Sequence, residues 1–552
     1  LVLIVNFNAT RLLISKTKKM KNKILYIAAA LLTMVSCQED FTVRSSLDGA
    51  SLDNYYNTAD EVRAGTSTLY SGLPWQGYKS RAMDNIGDLM SGNYFTYASD
   101  YAPYINFTLS QTAPYVQYAW QAFYKVAGWS GSMLKAFEMK KSLGGDASFL
   151  DPAIAECHFM RGTAYFFIAR TWGAAPIIED PGATAIGGNY NIPRYIERDV
   201  FKFAENELIL AEQGLPETDV PGRVTTYSAK AMLAKLYLFM ADYFNLSEYY
   251  TLAASKAHEV ITDGPYDLVG ASEYQTMFNS SSMNNNKESV FAIQHQLTQN
   301  PWGSGNQLQC DRGPSNLSTS ESNMWGSYMP SLDFIAAFEP GDNRRKATIM
   351  EQGWSMPNWK PKTADADYNA FMANGYVYDT IQPEGKGGIK TGTRTSVAKY
   401  IVGPGAAFGG EQVIGMNTGQ NFMVLRFADV LLIYAEAVIG TGGSTSNSDA
   451  VEAYNRVRRR ALLPEKSVIT KEDVLKERRI ELAFEGDYWY DIKRQGFTKA
   501  RQIISAQNRG SVDAANYVTT FSEDKMNLPL PLSEITQDPE LSKDPVPYYT
   551  TK

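Results

Sequence analysis

Histidine and cysteine are almost missing from this chain. Among 552 residues there are three of each, at His158, His258 and His295 and at Cys37, Cys157 and Cys310. No two cysteines stand at metal-ligand spacing, and neither H-x-x-H nor H-E-x-x-H occurs, which excludes the common zinc motifs. A Cys157–Cys310 disulfide stays open on sequence, with two buried free thiols as the alternative. Long basic runs are also missing, and the net charge is −7. A polyanion is held by clustered Lys and Arg, so nucleic acid is excluded as a partner. No EF-hand spacing is present. The acidic stretch Asp263 to Asp267 is the one place noted for a structural calcium ion, and no cofactor is expected.

What the chain does have is aromatic surface: 34 Tyr, 25 Phe and 9 Trp, or 12% of residues, with Tyr ahead of Phe. A Tyr ring offers flat apolar area and a hydroxyl that prefers a polar neighbour, which suits wet recognition surfaces as well as helix packing. With 44% hydrophobic and 20% charged residues the chain can bury a substantial core and is no disordered polyelectrolyte.

The N-terminal region reads as an address. Residues 1–19 precede Met20 and are taken as an upstream extension, outside the fold. Lys21 and Lys23 then lead into an apolar stretch, residues 24–35, of 12 residues, short of the ~20 that span a bilayer. It ends in Ser36-Cys37, which resembles the lipobox of bacterial lipoproteins. The resemblance makes 20–36 a signal peptide and Cys37 the lipidated first residue of the mature chain. Gln38-Glu39-Asp40 resembles the acidic signal that sends such proteins to the outer leaflet.

Helical periodicity dominates the rest. Thr58 and Glu61 have capping-box spacing and open a predicted helix at 59–71. Further helices are predicted at 115–141, 152–171, 196–213, 226–243, 248–262, 421–439, 449–461, 471–485 and 497–507. Those from 152 to 262 come as neighbouring pairs similar to tetratricopeptide units, with Ala229, Leu233, Leu236 and Met240 on one face of the fifth. Residues 264–420 are rich in Gly, Asn, Ser, Pro and aromatics, with a buried strand predicted at 289–294. An irregular stretch of that length is usually functional.

Residues 425–437 (LRFADVLLIYAEA), 453–463 (AYNRVRRRALL), 475–494 (LKERRIELAFEGDYWYDIKR) and the run Leu528-Pro-Leu-Pro-Leu532 occur in that order. Upstream stand 155–178 (AECHFMRGTAYFFIARTWGAAPII), Gly222-Arg223, and Phe338-Glu339 with Asp342, Arg344 and Arg345. This series resembles the SusD/RagB family of nutrient-binding outer-membrane lipoproteins. The resemblance implies a mainly α fold, a tetratricopeptide-like helix-pair scaffold with long irregular loop insertions. It implies one SusD-like domain over 37–552: a helical-repeat part at about 50–263, an insertion region at about 264–420 and a signature part at about 421–552. It also implies a cell-surface protein that captures oligo- or polysaccharide for a TonB-dependent SusC-like transporter and is no enzyme.

The residues leave alternatives: a glycoside hydrolase on a helical scaffold, or a receptor for peptides or another nutrient, or an interaction scaffold. Asp473, Glu477, Glu481 and Glu485 follow one another at four-residue spacing and look like a carboxylate site. Arg478 and Arg479 between them favour a structural ion-pair network, because arginines lower carboxylate pKa values and a general acid needs the opposite. Gly486 is expected to end that helix, with Tyr488, Trp489 and Tyr490 packed in the core. Sugar binding asks for exposed rings with polar side chains at the rim. The candidates are Trp75, Tyr78, Arg81 and Asn85, then Tyr94 and Tyr97, then Trp302 and Asn306, then Trp325, and finally Trp354 and Trp359. No catalytic residue and no metal ligand is assigned.

Overall fold

Where apolar positions recur at helical spacing the chain forms helices, and each begins where a side chain can take up free backbone N–H groups. In the computed structural model, residues 55–549 are described apart from Ser80, 145–146, Asn189, 299–302, 362–371 and 381–390. Cys37, the 20–36 segment and Trp302 therefore lie outside the described residues. Thr58 caps α1 (Ala59–Tyr70) through the capping box read from the sequence. Then come α2 (Pro114–Ser142), α3 (Asp151–Trp172), α4 (Glu197–Gly214), α5 (Thr226–Tyr243) and α6 (Glu248–Asp263). The C-terminal part supplies α7 (Phe427–Ile439), α8 (Ser448–Arg460), α9 (Lys471–Glu481) and α10 (Phe497–Ala506).

From α2 to α8 each of these helices packs on its neighbour in this run, the stack of helix pairs that the repeat spacing predicts. All of it belongs to a unit spanning Thr58–Lys552. α5 lies inside the stack. Ala229, Leu233, Leu236 and Met240 are buried, as is nearly every residue from Ser228 to Ala241. Its one buried cation, Lys235, is matched by Asp429 at 2.6 Å and by Asp487. A fully buried Leu contributes about 1.5–3 kcal/mol, so this helix anchors the core.

Two predicted helices are cut short. The stretch expected as helix 421–439 begins as strand β4 (Phe422–Arg426), which pairs antiparallel with β2 (Ser289–Ile293), the predicted buried strand. The stretch expected as helix 471–485 stops at Glu481. Beyond it, Lys399 Nζ donates to the carbonyls of Glu481 and Ala483 at 2.9 and 3.0 Å. The Asp88 side chain accepts the N–H groups of Phe484 and Gly486 at 3.1 and 3.0 Å. These partners outbid the helical bonds. Gly486, at φ +83°, lies so close to Gly87 that a Cβ on Gly87 would stand 2.3 Å from the Gly486 Cα.

The acidic row is thus not one helical face, and Arg478 and Arg479 do not neutralise it. They turn to Asp429 and Asp491 and to Asp333. Arginines from elsewhere do so instead. Arg344 meets Glu477 at 2.5 Å and Glu481 at 3.0 Å, and Arg426 meets Glu481 at 2.5 Å and Glu485 at 2.8 Å. Arg460 joins Glu481 and Glu288. Burial would raise the Glu481 pKa, but Arg460, Arg426 and Arg344 hold it well below the carboxylate range. A carboxylate so held is a structural tie rather than a proton donor. Tyr488, Trp489 and Tyr490 are buried in the short helix Tyr488–Arg494.

The region 264–420 builds a second core around Met350, Trp354, Trp359, Tyr376 and Tyr378, joined by Phe95 from the N-terminal part and laced by two-residue strands. Cys157 and Cys310 are both buried and free. Asp267 is engaged by Lys287 at 3.2 Å and Arg456 at 2.8 Å, and among the described residues no three His, Cys, Asp or Glu side chains gather as a metal site.

Candidate functional site

Exposure separates the aromatic candidates. Trp75 is 0% exposed: its indole N–H donates to the Leu69 carbonyl at 2.9 Å, and Phe123, Phe167 and Phe291 surround its ring. Tyr78 packs on Phe123 with centroids 4.6 Å apart. Asn85 is buried and accepts the Tyr328 hydroxyl at 3.0 Å, and Tyr94 is stacked between Tyr328 and Phe484. Asn306 is buried and spends its amide on the Gln420 carbonyl at 2.8 Å and the Leu308 N–H at 2.9 Å. Trp354 donates to the Lys346 carbonyl and packs against Trp359 in the second core. All seven residues offered as ligand contacts are sealed in this structure and leave the set. Loop-like composition concealed their packing: Gly72–Trp75 is a short helix laid on α2, and Asp84–Leu89 is a wound segment under the Phe484–Gly486 turn.

Tyr97 and Trp325 behave differently. They are 56% and 49% exposed and line one cleft of about 400 Å³ with Ser315, Ser327, Met329 and Thr391. The cleft is held from behind. Strand β1 (Tyr94–Phe95) pairs with β3 (Met329–Pro330), which fixes both approaches. Thr96 Oγ1 donates to the Ser327 carbonyl at 2.7 Å and accepts the Ala98 N–H at 3.0 Å. The Trp325 backbone N–H donates to the Cys310 carbonyl at 2.7 Å. Gly392, at φ +66°, closes the floor, where a Cβ would meet Met329 Sδ at 2.5 Å and the Tyr97 ring at 3.0 Å. The rings are therefore presented by a fixed frame.

Arg81 completes the arrangement. Its guanidinium carbon sits 5.0 Å from the Trp325 ring centroid while its Nε donates to Asp311 at 3.0 Å. Burial works against its charge, but Asp311 and the nearby Tyr101 raise its pKa, so it is a permanent cation beside an aromatic face. Arg81 also reaches Tyr115, whose ring stands edge-on to Tyr118, 47% exposed. Tyr115 and Tyr118 lie in the first turns of α2. A search for rings within loop composition passed over them, although their three-residue spacing places both on one helical face.

Chemically, this strip offers flat apolar faces, hydroxyl groups and one guanidinium. Among the described lining residues of the cleft there is no carboxylate. Cleavage of a glycosidic bond uses two carboxyl groups flanking it.

The comparisons with known proteins bear on the family and the fold. A model of the SusD family matches residues 287–549. A SusD-like protein of Bacteroides ovatus is 30% identical over 569 residues, covering 96% of this chain and 98% of the relative. A crystal structure solved with a xylogluco-oligosaccharide superposes with a TM-score of 0.76 at 28% identity, covering 89% of this chain and 100% of that one. A laminarin-binding SusD-like protein shares the fold, with a TM-score of 0.65 at 23% identity over 88% of this chain and 98% of that one.

Proposed function

The chain belongs to the SusD family, and from that premise we propose that it is a non-catalytic, cell-surface carbohydrate-binding lipoprotein that hands captured glycan to a TonB-dependent outer-membrane transporter. The observation that carries the reading is the open pair of rings, Tyr97 and Trp325, on a braced frame beside Arg81. Pyranose C–H faces stack on such rings, and hydroxyls around the sugar edge take up Ser315, Ser327, Thr391 and the guanidinium. A relative solved with a xylogluco-oligosaccharide makes β-linked glucan backbones the first ligands to try. The lack of a carboxylate among the described cleft residues supports capture without cleavage. Cys37, after its apolar leader, supplies the lipid tether, and the family resemblance supplies the transporter.

The test is calorimetry on the soluble chain beginning after Cys37, titrated with xylogluco- and β-1,3-gluco-oligosaccharides, followed by chromatography of the mixture. Saturable binding with intact ligand is expected, and Trp325→Ala weakens it at least tenfold. Released product, or silence across a broad glycan array, defeats the proposal.

A further inference from the structure

At the C-terminal end of α3 the chain closes a second pocket, of about 490 Å³, that shares no described lining residue with the Tyr97–Trp325 cleft. Its apolar walls include Phe107, Leu528 and Pro529. Three polar groups in it are buried and lack any protein hydrogen-bond partner: Trp172 Nε1, Arg194 Nε and Glu197 Oε1. Trp172 is only 4% exposed, and its ring is wedged edge-on against Trp120 at 5.1 Å and Phe123 at 6.1 Å, so its N–H cannot turn away. Arg194 is held by its Nη2, which donates to the Lys543 carbonyl at 2.6 Å. Glu197 is the first residue of α4.

An unmatched buried donor or acceptor is costly, and three gathered in one pocket define a recognition pattern. The pattern has two fixed N–H donors and one carboxylate oxygen. Arg194 is countered by Asp544 and Glu197 by Lys493, and Asp524 and Lys525 bring one charge of each sign, so the pocket asks for no ion. A hydroxyl both accepts and donates at a single atom, whereas a peptide divides those roles between alternating N–H and C=O groups. We propose that this pocket binds a small neutral polyhydroxyl molecule of mono- or disaccharide size. One ligand oxygen accepts from Trp172 and Arg194, another hydroxyl donates to Glu197, and a C–H face lies on Phe107 and Leu528. This assignment stands independently of the role given to the Tyr97–Trp325 cleft.

The probe is the indole N–H signal of Trp172 in the ¹⁵N-labelled soluble chain, identified by its loss in Trp172→Phe. It is titrated with glucose, galactose, mannose, xylose, cellobiose, maltose and a proline-containing tripeptide, each alone. At least one sugar is expected to shift it saturably. Trp172→Phe, which keeps an aromatic ring, and Arg194→Met each weaken that binding at least tenfold, and Trp325→Ala leaves it unchanged. Should Trp172→Phe fail to fold, the wild-type titration and Arg194→Met still decide. An unmoved signal with every sugar overturns the proposal, as does binding that survives the substitutions or a shift seen only with a proline-containing tripeptide. Loss of oligosaccharide binding in Trp325→Ala together with a silent Trp172 signal would reject this pocket and leave the glycan cleft intact.

Discussion

The stretch after α1, from Gly72 to Asn85, and the stretch from Asn323 to Met329 are both short, glycine-bearing and aromatic. In the first, α2 and α3 present apolar faces that close over Trp75 and Tyr78. In the second, the neighbours are a two-residue strand pair and a guanidinium, neither of which covers an indole. The same ring is thus a keystone in one place and an open platform in the other. What decides is whether a helix lies opposite, and that is set by Phe123 and Phe167, far from Trp75 along the chain.

Substitutions can break or sharpen this contrast. The largest effect is expected beneath both regions, in the buried ion network. Glu481→Ala takes a shared carboxylate from Arg426, Arg344 and Arg460 and leaves the buried network one anion short, and breaking a buried pair of this kind costs about 3–5 kcal/mol. Chemical denaturation should show a loss of that size, and a loss below about 1 kcal/mol would mean that the network contributes little to stability. Next, Trp75→Ala should cost about 3–5 kcal/mol of stability with no change in glycan affinity per folded molecule. Trp325→Ala should do the reverse: stability within about 0.5 kcal/mol of the parent and affinity at least tenfold weaker. If both variants lose stability alike, the contrast between keystone and platform fails. Tyr97→Ala follows with a drop of about tenfold or less, because it offers the smaller ring, and calorimetry reads it directly.

The last effect concerns pH. Lys79 is buried, donates to the Gly305 carbonyl at 2.8 Å and lies 3.2 Å from His295 Nδ1. Burial lowers its pKa from 10.5 to about 7. Below about 7 the ammonium is charged in folded and unfolded chains alike, and folding bears the full desolvation cost. As pH rises from about 7 towards 10.5, the folded chain sheds the proton first and stability climbs. His295, pushed down mainly by burial and then by Lys79, acts in the same sense at lower pH. Lys79→Met should flatten the rise measured by thermal unfolding across the alkaline range. An equally steep rise in the variant would assign it to other groups.

Much of the scaffold was legible because its information is local. The faces of α3 to α6 and the Thr58 capping box repeat at helical spacing, and the helices formed there. What misled was local pattern overruled at long range. Met423-Val424-Leu425 runs on into the apolar α7 with no breaker, and only pairing with β2 separates strand from helix. The α9 periodicity continues to Glu485, and only Lys399 and Asp88 end it at Glu481. Of the site, Arg81, Tyr97 and Trp325 were named from composition. Trp354 and Trp359 looked equally free, because nothing nearby in sequence announces the second core that encloses them. Tyr115 and Tyr118 went unseen because they sit in a helix.

The backbone contact between Gly87 and Gly486 has a further consequence. Two stretches about four hundred residues apart press together without side chains between them, and Asp88 takes the N–H groups of Phe484 and Gly486 in the later one as well as the nearby Asn93 amide. A chain made N-terminus first must therefore keep Asp84–Leu89 unfinished until Gly486 has appeared, close to its end. Closure across so long a loop is slow and all-or-none. Loss of the chain beyond Arg460 would leave the helix stack its neighbours but strip Asp84–Leu89 of the turn it packs under, so the closing of an early segment is set by the end of the chain.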